Sequence, residues 1–134
     1  IRMKFIPPRG FAGQRRVVVG GTSVSAIMTR QLVAMLLDGG AAEVHVRISS
    51  PPVVSPCFYG IDFPDEDELP AAQRSVEEMR VLIGATSLHY LSVEGMQAAT
   101  ELPEDAVCRA CFTRDYPTKT PRKSEKLRFE TTPA

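Results

Sequence analysis

At 134 residues, 43% hydrophobic and 24% charged, the chain has the size and composition of one globular domain. Sixteen basic residues balance sixteen acidic ones, so no net field recruits nucleic acid or an anionic membrane. No apolar run approaches the roughly 20 residues that span a bilayer, and Ile1–Pro8 offers too short an apolar run for a signal peptide. The expectation is a cytoplasmic chain with no nucleic-acid or membrane partner. It does not open on Met, which raises the expectation of sequence upstream. Three cysteines, an odd number, suit a disulfide scaffold poorly and are expected as reduced thiols, metal ligands or catalytic groups.

Arg15-Arg16-Val17-Val18-Val19 reads as a short buried strand, followed by a turn at Gly20-Gly21-Thr22-Ser23 whose hydroxyls are placed to cap a helix. Met28, Leu32, Met35 and Leu36 share a face at helical spacing, so that helix is predicted from about Ala26 to Asp38. Gly39-Gly40 stops it in the manner of a left-handed cap. Glu43 to Ile48 alternates, with Val44, Val46 and Ile48 on one side, which completes a parallel βαβ unit with a right-handed crossover. Pro51, Pro52 and Pro56 then impose a long ordered loop. Ser75 with Glu78 forms a capping box ahead of a helix that Gly84 ends, and Ser92 opens another short helix to about Thr100. Residues 117–134, rich in Thr, Lys, Pro and Arg without periodicity, are expected to be a disordered tail behind a domain spanning 1–116.

Cys108-x-x-Cys111 brings two thiolates to one turn, a chelate that iron–sulfur clusters and zinc both accept. Cys57, in the proline-rich loop, is a candidate third ligand. Spacing alone leaves this reading level with three unrelated buried thiols, since cysteine also packs as a small hydrophobe.

The run Glu43 to Pro52, then Pro56-Cys57-Phe58-Tyr59-Gly60-Ile61-Asp62, resembles the C-terminal part of the amidophosphoribosyltransferase family. Ser75-Val76-Glu77-Glu78, Leu91 to Gly95 and Ala110-Cys111-Phe112-Thr113 continue the resemblance, in order, over nearly all of 1–117. It implies an α/β fold, the second half of a type I phosphoribosyltransferase core with a Rossmann-like parallel sheet and a C-terminal helical extension. It implies the first step of purine biosynthesis, in which ammonia from glutamine displaces pyrophosphate from phosphoribosyl pyrophosphate. It also implies a structural [4Fe–4S] cluster in the members that carry one, with Cys57, Cys108 and Cys111 matching three of four ligands. The fourth ligand lies upstream of the matching segment, as does the glutaminase domain, so a cluster on this chain alone is expected to be labile.

The family's donor-binding loop reads Asp-Asp-Ser-Ile-Val-Arg-Gly-Thr-Thr. Its carboxylates hold the ribose hydroxyls and a Mg²⁺-bound donor, and its amides and hydroxyls cradle the 5-phosphate. Here Gly20 and Gly21 occupy the acidic positions, Thr22 replaces the serine, Ser25 the arginine, Ala26 the glycine, and Ile27 and Met28 the threonines. Losing two carboxylates removes on the order of 3–6 kcal/mol of charged hydrogen bonding, about two to four decades in rate or affinity. Thr22, Ser23 and Ser25 are the remaining candidates for a weak anion contact. The plainer reading of Gly20-Gly21 is a tight turn, with Thr22 or Ser23 as an N-cap. Ile6, Thr86 and His89 are further departures, standing where the family has Asn, Asp and Gly.

His45 and His89 have no convincing Asp or Ser partner in sequence and read as ordinary histidines. Asp65 to Glu68 and Glu77-Glu78 read as solvated acidic runs, and Lys119, Arg122, Lys123, Lys126 and Arg128 as a solvated basic tail. The chain is therefore expected to be catalytically silent alone, a fragment or degenerate copy of the family enzyme, binding phosphoribosyl pyrophosphate weakly if at all. Self-association or pairing with upstream domains is expected. The alternatives are a regulatory or structural pseudoenzyme and an independent iron–sulfur or zinc module.

Overall fold

The structure is a computed structural model of the chain, and it describes residues 13, 15–22, 25–61 and 69–120. Three parallel strands form a sheet in the order β1-β2-β3, with β1 at Arg16–Gly21, β2 at Glu43–Ile48 and β3 at Ser87–Tyr90. Helix α1, Ala26–Asp38, connects β1 to β2, and α3, Val76–Ile83, precedes β3. A short α2, Pro70–Gln73, lies before α3; α4, Val93–Thr100, follows β3, and α5, Ala110–Thr113, comes after a 3₁₀ turn at Glu104–Ala106.

Strand alternation decides the two faces of the sheet. Val44, Val46, Ile48 and Leu88 point inward and are buried with Val33 and Leu36 of α1 and Met79 and Ile83 of α3. The helical face expected from Met28, Leu32, Met35 and Leu36 is therefore rotated: Val33 and Leu36 are buried, while Met28 is 53% exposed in the first turn. The opposite sheet face carries Val18, 66% exposed, among polar side chains. There Arg16 Nε bonds the Glu43 carboxylate at 3.0 Å, Glu43 bonds His45 Nε2 at 3.0 Å, and His45 Nδ1 meets Ser87 Oγ at 2.8 Å. This chain of contacts crosses all three strands.

Helix ends follow their residues. Ser75 accepts from the Glu78 amide while Glu78 accepts from the Ser75 amide, the expected capping box, and Gly84 closes α3 at φ +72°. Ser92 caps α4 by accepting from the Gly95 amide at 2.9 Å. The stop after α1 uses Gly40 at φ +92°, where only glycine sits without strain. At the start of α1 the expectation fails: Ser25 holds the N-cap position, but its side chain makes no cap hydrogen bond. Strand β3 and the short α2 and α5 are additions to the elements predicted from sequence.

Candidate functional site

Two regions concentrate the chemistry. The first is a cleft of about 690 Å³ across the carboxyl ends of the strands, lined by Gly20, Gly21 and Thr22, by Arg47, Ile48 and Ser49, and by His89, Tyr90 and Leu91. Parallel α/β sheets place ligand crevices at these ends because every strand exits there into a loop. The exits are tied together: the Ser49 amide donates to the Gly21 carbonyl at 2.8 Å, Ser50 Oγ to the Thr22 carbonyl at 2.8 Å, and the Leu91 amide to the Ile48 carbonyl at 2.9 Å.

The tight turn expected at Gly20-Gly21 is absent. Both residues belong to β1, in register with Arg47 and Ile48. Gly20 is not in the left-handed region, and a Cβ built on it meets no atom within 4 Å. Neither backbone nor packing demands glycine there, so what Gly20 removes from the cleft wall is a side chain and its charge. Among the described residues no carboxylate lines the cleft; the ionisable side chains there are Arg47, His89 and Tyr90, whose phenol is pushed up by burial. Thr22 stands on the rim, Ser25 is exposed at the helix start, and Ser23 lies outside the described residues. Ile27, 73% exposed, and Met28 occupy the first turn of α1 where hydroxyls are expected from the family loop. Arg47 was not singled out in the sequence and His89 read as an ordinary histidine, because a strand partner distant in the chain leaves no local signal.

His45 does acquire partners, Glu43 and Ser87, which the sequence did not bring together. Ser87 Oγ also accepts from Arg47 Nη1 at 2.9 Å, and Ser87 is not among the residues that line the cleft. The group serves as a cross-strand ladder.

The second region gathers the cysteines. The amides of Val54 and Ser55 donate to the Cys111 carbonyl at 2.9 and 3.1 Å, and Arg114 Nη2 donates to the Val54 carbonyl at 3.1 Å. The Tyr116 hydroxyl donates to the Pro56 carbonyl at 2.5 Å and bonds Ser55 Oγ at 2.6 Å, and its ring meets Phe58 edge-on at 5.2 Å. Tyr59 Oη lies 2.8 Å from Thr118 Oγ1, so this set of contacts reaches residue 118. Residues 121–134, including most of the basic tail, lie outside the described residues, as do Ile6 and the acidic run 65–68.

Burial, then the nearness of Cys57 and Cys108, pushes the Cys111 thiol up. Cys57 and Cys108 thus each lie within electrostatic reach of Cys111. Among the described residues, no group of three His, Cys, Asp or Glu side chains already has metal-holding geometry. Thiols are the donors that a thiophilic group takes, and burial more than thiol–thiol repulsion is what raises Cys111. Tyr116 and Ser55, which organise this region, escaped sequence reasoning; an aromatic residue directly before Pro117 was the available hint.

A wholly parallel sheet, helices packed on its inner face and a cleft at its strand ends define an α/β fold of the phosphoribosyltransferase type. Among curated proteins the chain is 47% identical to the amidophosphoribosyltransferase of Synechococcus elongatus, covering 100% of this chain and 28% of that protein. It is 47% identical to that of Bacillus subtilis over 89% of this chain and 26% of the relative. Amidophosphoribosyltransferase 1, chloroplastic, of Arabidopsis thaliana is 41% identical over 89% of this chain and 21% of its own length. A solved structure described as the allosteric regulatory enzyme of purine biosynthesis superposes with a TM-score of 0.76 at 44% identity, covering 86% of this chain and 26% of that one. The B. subtilis glutamine phosphoribosylpyrophosphate amidotransferase, solved with ADP and GMP, gives 0.76 at 45% identity over the same shares. No protein-family model matches the chain. The chain belongs to the amidophosphoribosyltransferase family, and it spans about a quarter of the length of the curated relatives it matches.

Proposed function

We propose that this chain carries one wall of a phosphoribosyl-donor site and that, alone, it is catalytically silent. The observation that carries this reading is the placement of Gly20 and Gly21 at the carboxyl end of β1, lining the cleft where the family has two aspartates. Without those carboxylates no acidic side chain among the described residues of this wall holds Mg²⁺ or the ribose hydroxyls, or opposes positive charge growing on the reacting carbon. The remaining polar groups, Thr22, Ser49 and Arg47, hold the donor weakly if at all. In a complete enzyme of this family the chemistry is formation of 5-phosphoribosylamine, which opens purine biosynthesis. The test supplies ammonia in place of glutamine, which asks only about the transferase site. The expected result is no phosphoribosylamine from the 134-residue chain; measurable ammonia-dependent turnover overturns the silent reading.

The cysteine region favours a second role, a thiolate centre for an iron–sulfur cluster or zinc built from Cys57, Cys108 and Cys111. Support comes from the backbone link between the Cys57 loop and Cys111 and from the nearness of Cys57 and Cys108 to Cys111. When bound, such a group would cross-link the loop to the C-terminal segment. Anaerobic reconstitution with iron and sulfide is expected to give a labile centre that Cys57→Ala or Cys111→Ala abolishes. Broad visible absorbance surviving both substitutions removes these residues as ligands.

A further inference from the structure

The Cys57 loop and the Cys111 helix are held together by more than the thiols themselves. Ser55 is 5% exposed, and its hydroxyl sits against that of Tyr116. The same Tyr116 hydroxyl donates to the carbonyl of Pro56, the residue directly before Cys57. Its ring is wedged edge-on against Phe58, the residue directly after, with an interplanar angle of 62°. Tyr116 therefore grips Cys57 from both sides in sequence, while the amides of Val54 and Ser55 anchor the same loop to the Cys111 carbonyl. Prolines at 51, 52 and 56 stiffen the loop, so a grip at Pro56 is transmitted to the neighbouring sulfur rather than dissipated.

We propose that Tyr116 is a positioning residue for the thiol centre: its hydroxyl clasps Ser55 and Pro56 and so aims Cys57 at Cys111. The proposal rests on reading Cys57 and Cys111 as partners, and it is tested without any metal. Phenylarsine oxide reports two converging thiols. Its arsenic–oxygen bond breaks, two arsenic–sulfur bonds form, and the two thiol protons leave with the oxygen as water, with no change of oxidation state. Cys108 must first be removed, because Cys108-x-x-Cys111 could chelate arsenic by itself.

In the Cys108→Ala chain, capture of one arsenical that resists competition by the monothiol 2-mercaptoethanol is expected. Adding Tyr116→Phe should weaken retention by at least about tenfold, since both hydroxyl contacts, to Pro56 and to Ser55, are lost. Ser55→Ala cuts the contact from the other side and should give a smaller loss, which keeps the test open if Tyr116→Phe fails to fold by circular dichroism. Tyr59→Phe, which loses only the exposed bonds to the Thr118 hydroxyl and amide, should retain the arsenical fully. Undiminished retention in folded Tyr116→Phe, an equal loss in Tyr59→Phe, or no capture in Cys108→Ala overturns the proposal. If iron and sulfide give no visible chromophore while capture still depends on Tyr116, the metal reading falls and the positioning role stands.

Discussion

Val54 and Cys111 are joined backbone to backbone, the Val54 amide donating to the Cys111 carbonyl at 2.9 Å. Because the bond uses no side chain, it fixes the approach of the proline-rich loop to α5 whatever the state of the sulfurs. The cysteine region can therefore be partly organised before any group binds, and binding would add a cross-link to a loop already closed. The hydrophobic cluster between the sheet and α1 and α3 is built from residues outside that loop.

Met79 is the clearest test of that core. It is 1% exposed and packs with Ile83, Val33 and the inward strand residues. Met79→Ala should lower unfolding free energy by about 2–5 kcal/mol, the usual cost of truncating a large core side chain. Chemical denaturation checks it; a change within the range of a surface substitution would mean that α3 is not seated on the sheet.

The capping box of α3 predicts a pH dependence. Hydrogen bonds from the Ser75 amide and hydroxyl hold the Glu78 carboxyl below its ordinary value of 4.5. A depressed carboxylate contributes stability that is fully present above that ordinary value and is lost as pH falls through the lower folded one. Glu78→Gln should therefore lower the melting temperature at neutral pH and converge on the unmodified chain in acid. A difference that stays constant into acid would remove the ionised carboxylate as its source. The site is exposed, so the effect should be small.

Where a signal was local, the sequence was sufficient. The span of α1, the Ser75–Glu78 box and the Gly84 stop depend on residues within a turn of one another. What escaped depends on pairing at a distance. β3 is four residues long, too short for alternation to stand out, and exists because Thr86 docks on β2: its amide donates to the Val44 carbonyl at 2.8 Å and its hydroxyl accepts from the Val44 amide at 3.0 Å. Gly20-Gly21 read as a turn because two glycines lack strand propensity, whereas the β2 register keeps them in the strand. The cysteines were legible as a possible set, but the Tyr116 clasp that orders them was not.

The outer sheet face predicts association. All-parallel sheets are normally covered on both faces, and here Val18 is 66% exposed on the face away from α1 and α3. The isolated chain should pair through this face with a second copy, as sedimentation or light scattering would register by a mass above the monomer. Val18→Lys should shift the population toward monomer. A monodisperse monomer with a cooperative thermal transition, at all concentrations, would contradict the expectation.

The cleft gives the most direct prediction. Gly20 lies opposite Arg47 in the parallel register, and space beyond its Cα is open, so Gly20→Asp should fold without steric cost. With Gly21→Asp it would return two carboxylates to the strand end, each able to add about 1.5–3 kcal/mol in a charged hydrogen bond to a bound donor. The double variant should therefore bind phosphoribosyl pyrophosphate at least about tenfold more tightly, and only when Mg²⁺ is present, since the restored carboxylates engage the donor through the metal and would otherwise repel its phosphates. Turnover with ammonia should still be absent, because Ile27 and Met28 stand where the family loop presents its threonines. Titration calorimetry with and without Mg²⁺ separates the effects. An unchanged affinity would mean that this strand end does not face the donor, and Mg²⁺-dependent binding by the unmodified chain would mean that other groups have taken over the role of the lost pair.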